Sequence, residues 1–261
     1  MIIAKKSLGQ NFLTDKNAID KITNLINIKN KNVLEIGPGT GNLTSSILMK
    51  NPKKLIVVEK DDNLAQIIKD KFNKGIEVIN KDILTLDENY LCEEKLIVFG
   101  NLPYNISTEI LCRWIINLKK HYWFEYLILM FQKEVADRII AEFNTKNYGR
   151  LTVLSKWRLN IEKIFDVKPS SFYPKPKIDS SVLLLKPKSN FFPLKNPKNL
   201  EKLTRIFFMH RRKMLKKPYN TMFNGNLLIA NKLNLNLNLR PQNLDFETYY
   251  KLTDEFENLA S

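Results

Sequence analysis

The chain predicts an α/β protein: a mostly parallel seven-stranded sheet with helices on both faces, followed by a small all-helical domain. Three observations carry this. From about residue 14 to 186, apolar runs bounded by turn residues alternate with amphipathic stretches, the pattern of strands linked by helices. Leu55–Val58, Leu96–Phe99 and Tyr126–Phe131 are apolar without alternation, as strands covered on both faces must be. Past the Pro-, Lys- and Asn-rich segment 186–197, the clearest apolar patterns are helical, at Leu200, Leu203, Ile206 and Phe207 and again along Phe246–Leu259. The expected division is therefore 1–187 and 188–261.

Taken in order, a first helix starts after Thr14 as N-cap and carries Ile19, Ile22 and Ile26 on one face. Strands follow at about 32–37, 54–59, 76–80, 95–100 and 124–131, with helices between them. A late pair lies near 160–166 and 179–186, of which Ser181–Leu185 is the clearer. Residues 233–239 alternate Leu and Asn. Period alone makes that a strand, while the low-complexity composition favours a helix–loop–helix.

The strand ends carry the chemistry. Val33-Leu34-Glu35-Ile36 runs into Gly37-Pro38-Gly39-Thr40-Gly41, glycines at every second position that let a ligand approach the backbone. The spacing is G-x-G-x-G rather than the G-x-G-x-x-G of dinucleotide loops, and no Gly-Lys-Ser/Thr follows, which excludes a P-loop. The second strand ends at Glu59, an acid suited to the two hydroxyls of a ribose. The third leads to Asp82, placed to accept from an adenine amine. Glycine loop, ribose acid and adenine acid in strand order make a site for S-adenosylmethionine.

After the fourth strand comes Asn101-Leu102-Pro103-Tyr104. An adenine 6-amino group is planar and poorly nucleophilic because its lone pair is delocalised. The Asn101 side-chain oxygen and a carbonyl near Leu102 can each accept one amino hydrogen and draw the nitrogen towards a tetrahedral form. Pro103 presets the loop, and Tyr104 offers a face on which an extruded base can rest.

Composition limits the alternatives. At 261 residues and 44% hydrophobic content the chain can bury a substantial core. No apolar run approaches the length of a bilayer span, and Met1–Lys6 lacks the apolar core of a signal peptide. Cys92 and Cys112 form no C-x-x-C pair, and the two histidines, His121 and His210, argue against a His-based metal site or triad. A soluble cytoplasmic protein without metal is expected. The net charge of +15 favours a polyanionic partner. Ten Lys or Arg against the single acid Glu201 fall within 187–217, among them Arg205, Arg211, Arg212, Lys213, Lys216 and Lys217, and RNA contact is expected there.

With these motifs in order, the chain resembles the KsgA-type small-subunit ribosomal RNA adenine dimethyltransferases along nearly its whole length. The resemblance rests on Gln10-Asn11-Phe12-Leu13, Glu35–Gly41, Asn101–Thr108, Tyr148-Gly149-Arg150-Leu151, Phe172–Ser180, a helix with Arg211-Arg212-Lys213, and Arg240–Leu244. It implies a class I methyltransferase (Rossmann-like) fold and dimethylation of two adjacent adenines in a hairpin loop near the 3′ end of 16S rRNA. The methyl source would be S-adenosyl-L-methionine, leaving S-adenosyl-L-homocysteine. It also implies cofactor contacts at Asn11, Leu13, Gly37, Gly39, Glu59, Asp82 and Asn101, and stacking of the flipped adenine between Tyr104 and Phe172. The implied partner is small-subunit rRNA within an immature 30S particle, met by a monomer with no membrane attachment. His210 stands where the family more often has a polar amide. A large-subunit adenine methyltransferase of the Erm type, a DNA adenine methyltransferase and a ribosome-assembly binding factor remain as alternatives.

Overall fold

Five strands whose residues are mostly Val, Ile, Leu and Phe lie side by side because neither face of them can be left in water. They are β2 (Asn32–Ile36), β3 (Lys54–Glu59), β4 (Glu77–Asn80), β5 (Leu96–Asn101) and β6 (Phe124–Gln132). Leu34, Ile56, Val57, Val98 and Phe99 are buried completely, which is why these runs do not alternate. The structure, a computed structural model, describes residues 4–5, 8–118 and 122–259. His121 and residues 1–3, on which the histidine and leader readings partly rest, lie outside these.

The full sheet has seven strands in the order β4-β3-β2-β5-β6-β9-β7, completed by β7 (Leu159–Val167) and β9 (Ser180–Pro187). β4 to β6 pair in parallel, and β9 runs antiparallel to β6. The chain moves outward from β2 through β3 to β4, then returns to β5 on the other side of β2. The direction of winding therefore reverses between β2 and β5, and ligands of open α/β sheets bind beside the carboxyl ends of strands at such a point. A second, two-stranded ribbon pairs β1 (Phe12–Leu13) with β8 (Phe172–Tyr173) antiparallel.

The chain divides into two compact units. The first holds the whole parallel sheet and comprises residues 1–110, 118–136 and 160–187. The second joins 188–261 to two earlier stretches, 111–117 and 137–159. Its helices include α6 (Arg150–Arg158), α7 (Pro197–Met209), α8 (Lys216–Phe223), α9 (Leu227–Lys232) and α10 (Phe246–Leu259). Its core is aromatic: Tyr148, Phe207, Tyr219 and Tyr249 are fully buried. Buried hydroxyls need partners, and the Tyr148 hydroxyl donates to Leu244 O at 2.8 Å and that of Tyr249 to Pro241 O at 2.7 Å. The Glu257 carboxylate accepts from Lys195 N and Asn196 N at 2.7 and 2.8 Å, fixing the entry to α7.

Local departures from the sequence reading have local causes. The first helix, α1 (Lys16–Thr23), is capped by Asp15, whose side chain accepts from Asn17 N and Ala18 N. Thr14 instead donates to Ser171 O, and Ile26 falls beyond the helix. Residues 233–239 form turns rather than a strand. Asn234 takes a left-handed φ of 49°, and the Asn236 side chain accepts from Asn238 N at 3.0 Å, a local bonding mode of asparagine that competes with a ladder. Arg211–Lys213 lie in a turn between α7 and α8, not on a helix.

Candidate active site

Four strand ends converge on one cavity in the first unit. Gly37 follows β2, Glu59 ends β3, Asp82 lies two residues past β4, and Asn101 ends β5; all four line it. Register explains the convergence. Ile36 is level with Val58 on one side and Gly100 on the other, and Glu59 is level with Asn80. A Cβ on Gly37 would sit 3.9 Å from Asn101 O, so the glycine corner and the Asn-Leu-Pro-Tyr corner lie side by side.

The glycine loop packs against Phe12 because of what it omits. Gly39 has φ +55°, a conformation L side chains rarely adopt. A Cβ there would stand 2.7 Å from the Phe12 ring. Gly39 N donates to Glu59 Oε2 at 3.4 Å, and Asp61 N donates to Glu59 Oε1 at 2.9 Å. Glu59 is nearly buried, and burial raises its carboxyl above the ordinary range; the Asp61 and Gly39 N–H groups oppose that rise. The Asp82 carboxylate accepts from Lys60 Nζ at 2.7 Å and from Leu84 N at 3.0 Å.

The N-terminal segment closes the cavity from the side. Leu8, Gly9, Gln10, Asn11, Phe12 and Leu13 all line it. Asn42 Nδ2 donates to Leu13 O at 2.9 Å, and Gln10 Nε2 to Asp61 Oδ2 at 3.3 Å. The contact with most chemical consequence is Asn101 Nδ2 donating to Asn11 O at 2.7 Å. With its nitrogen held there, the Asn101 amide directs Oδ1, an acceptor only, away from that bond.

At the second corner, Leu102, Pro103 and Tyr104 also line the cavity. The Pro103 carbonyl accepts from Ile106 N at 3.1 Å. The half-buried Tyr104 ring is fixed by a 2.6 Å hydrogen bond between its hydroxyl and Ser180 Oγ. Burial raises its phenol above the ordinary value, against the Ser180 bond.

Phe172 is placed differently. It is buried to 4% exposure in the apolar core with Leu13, Ile19 and Val182, its backbone paired with Leu13 in the β1–β8 ribbon, and it does not line the cavity. Among the basic residues, Arg205, Arg212, Lys213, Lys216 and Lys217 are exposed. Arg211 is half-buried and gives its guanidinium to the carbonyls of Thr145 and Lys146. Among the described residues no cluster of His, Cys, Asp and Glu could hold a metal.

Glu35 was quoted above only as part of the glycine motif. It lines the cavity at 1% exposure, and its Oε2 has no hydrogen-bond partner. Burial pushes its carboxyl up to about 8; the Thr44 hydroxyl opposes this and the Glu59 carboxylate adds to it. A charged residue inside a run otherwise buried on both faces was the available signal. Ser180 and Asn42 carried none, since their partners are far away in sequence.

The sheet order, the glycine corner and acids at the next two strand ends define a class I methyltransferase that uses S-adenosylmethionine. A family model described as ribosomal RNA adenine dimethylase matches residues 2–258, and the chain belongs to that family. It is 62% identical to a ribosomal RNA small subunit methyltransferase A from Pelagibacter ubique (strain HTCC1062), over 98% of each chain. A solved dimethyladenosine transferase from Plasmodium falciparum is 30% identical, with a TM-score of 0.81 over 95% of this chain and 98% of that one. The 23S rRNA methyltransferase ErmE, at 22% identity, shares the fold, with a TM-score of 0.67 over 96% of this chain and 100% of its own.

Proposed function

We propose that the protein is an S-adenosylmethionine-dependent dimethyltransferase of small-subunit rRNA, acting on the 6-amino groups of two adjacent adenines in a hairpin loop near the 3′ end of 16S rRNA. The observation that carries the chemistry is the pinned Asn101 amide at a corner beside Gly37. The bound cofactor supplies an electrophilic methyl group on a sulfonium. Gly37, Gly39, Glu59, Asp82, Asn11 and Leu13, which line one cavity, would hold it, with Glu59 suited to the ribose hydroxyls and Asp82 to the adenine amine.

Asn101 Oδ1 and the Leu102 carbonyl accept the two hydrogens of the target amine. Both acceptors strengthen their hold as the nitrogen gains positive charge, the differential stabilisation that lowers a barrier. No strong base is required, because the methylated amine in its cationic form is acidic enough to lose its proton to water. Pro103 keeps the corner rigid. Tyr104, fixed by Ser180, provides one face for the base. After one transfer a single N–H remains, and Asn101 still holds it for the second.

We further propose that residues 1–187 act as the catalytic domain and 188–261 as the RNA-contacting domain. The substrate is the rRNA of an immature 30S particle, and the enzyme works in the cytoplasm as a monomer. Arg205, Arg212, Lys213, Lys216 and Lys217 meet phosphates, while Arg211 also braces the 145–146 turn. Among the described residues no helix is long and apolar enough to cross a membrane, in keeping with that setting. Labelled methyl donor offered with undermethylated small subunits, large-subunit rRNA or duplex DNA tests the assignment. Label entering only small-subunit adenines is the expected result; label in large-subunit rRNA or DNA instead would contradict it.

A further inference from the structure

The segment from Phe172 to Ser180 is tied at both ends to the walls of the cavity, yet its middle is exposed. At one end Tyr173 pairs with Phe12 and Phe172 with Leu13. At the other, Ser180 Oγ bonds the Tyr104 hydroxyl at 2.6 Å. Residues directly opposite in an antiparallel pair point to the same face, and successive residues to opposite faces. Leu13 and Phe172 both enter the core, so Phe12 and Tyr173 share the other face; Phe12 and Leu13 both line the cavity, which places Tyr173 one residue pair from its wall.

Tyr173 on that face is 60% exposed. Lys175 and Lys177 follow it, both exposed, with no carboxylate partner among the described residues. Pro174 and Pro176 are interleaved with these lysines and limit the backbone freedom of the segment, while the exposed lysine side chains keep their own rotamers. An aromatic face with cations beside it, next to a base pocket, is the composition that holds a single strand, the ring taking a base and the ammonium groups taking phosphates.

We propose that Tyr173, with Lys175 and Lys177, forms a stacking platform for the nucleotide next to the target adenine in the RNA loop. The proposal rests on the rRNA reading above and adds a second base site to it. When one adenine enters the cavity its neighbour loses a stacking partner, and Tyr173 replaces it. The platform thus positions the strand and is not itself part of the chemistry.

The test uses the full-length protein, undermethylated small subunits and a labelled single-stranded oligoribonucleotide with two adjacent adenines. Stacking of one base is worth about tenfold or more in affinity. Tyr173→Ala is therefore expected to raise KM for the particle and Kd for the oligonucleotide about tenfold, with the loss falling on KM and not on kcat. Tyr173→Phe should restore both, since the ring and not the hydroxyl is used. Lys175→Ala with Lys177→Ala should lower the slope of log Kd against log salt by about 1.4. Donor binding, measured by calorimetry, serves as the control for folding. A Tyr173→Ala enzyme with wild-type KM and Kd, or a Tyr173→Phe enzyme as impaired as the alanine variant, would overturn the platform while leaving the rRNA assignment intact. Failure of the wild-type protein to methylate the particle would overturn both.

Discussion

At the scale of single residues, one pinned amide and one buried acid stand out in the cavity. Asn101 Nδ2 is committed to Asn11 O, and in the proposed mechanism Oδ1 is the end that meets the substrate. Asn101→Ala removes the acceptor and loosens the N-terminal wall together. Loss of one preorganised group of this kind costs about 10²–10³ in kcat, and donor affinity should fall by much less, as single-turnover assays and calorimetry can separate. Glu35 makes a prediction about pH. Its folded carboxyl titrates near 8, above the ordinary carboxyl range, so the unfolded chain releases this proton first. The stability it allows is present at pH 4 and is lost as pH rises towards 8, with a limiting slope of about 1.4 kcal/mol per pH unit. Glu59 contributes in the same direction. Urea unfolding of the cofactor-free protein between pH 5 and 8 should show this slope, and Glu35→Gln should flatten most of it.

At the scale of elements, the β1–β8 ribbon joins residues about 160 positions apart, and its β1 strand lines the cavity. Phe172 on its inner face belongs to the core, and Phe172→Ala should cost about 3–5 kcal/mol of stability in denaturant unfolding. Tyr104→Ala, at a half-buried ring, should cost much less stability and instead impair transfer to RNA. This ribbon also marks the limit of what the sequence reveals. The parallel strands were legible because Leu55–Val58 and Leu96–Phe99 have no polar face, and the acids at 59 and 82 stand where strand ends must be. A two-residue strand has no period to detect, so neither β1 nor β8 could be read. Asn101 and Tyr104 were legible as residue types, but the partners that orient them, Asn11 O and Ser180 Oγ, arise only from tertiary approach. The Leu/Asn alternation at 233–239 misleads in the opposite sense, since asparagine bonds its own backbone in turns as readily as leucine fills a core.

For the whole molecule, charge is the property that matters. Of a net +15, nine charges fall within 187–217, and most of the basic side chains there are exposed. Replacing Arg212, Lys213, Lys216 and Lys217 by Ala should reduce the salt slope of RNA binding by up to about 3 and leave donor affinity unchanged. If the slope stayed the same, these side chains would not be phosphate contacts. The central claim is that the corners at 37–41 and 101–104 form one chamber in which the donor's methyl meets an adenine amine. The most direct test is mass mapping of modified adenines after undermethylated small subunits meet donor and either wild-type protein or Asn101→Ala. Two adjacent N6-dimethylated adenines with the wild-type protein and none with the variant is the predicted result. Equal dimethylation by both proteins would contradict it.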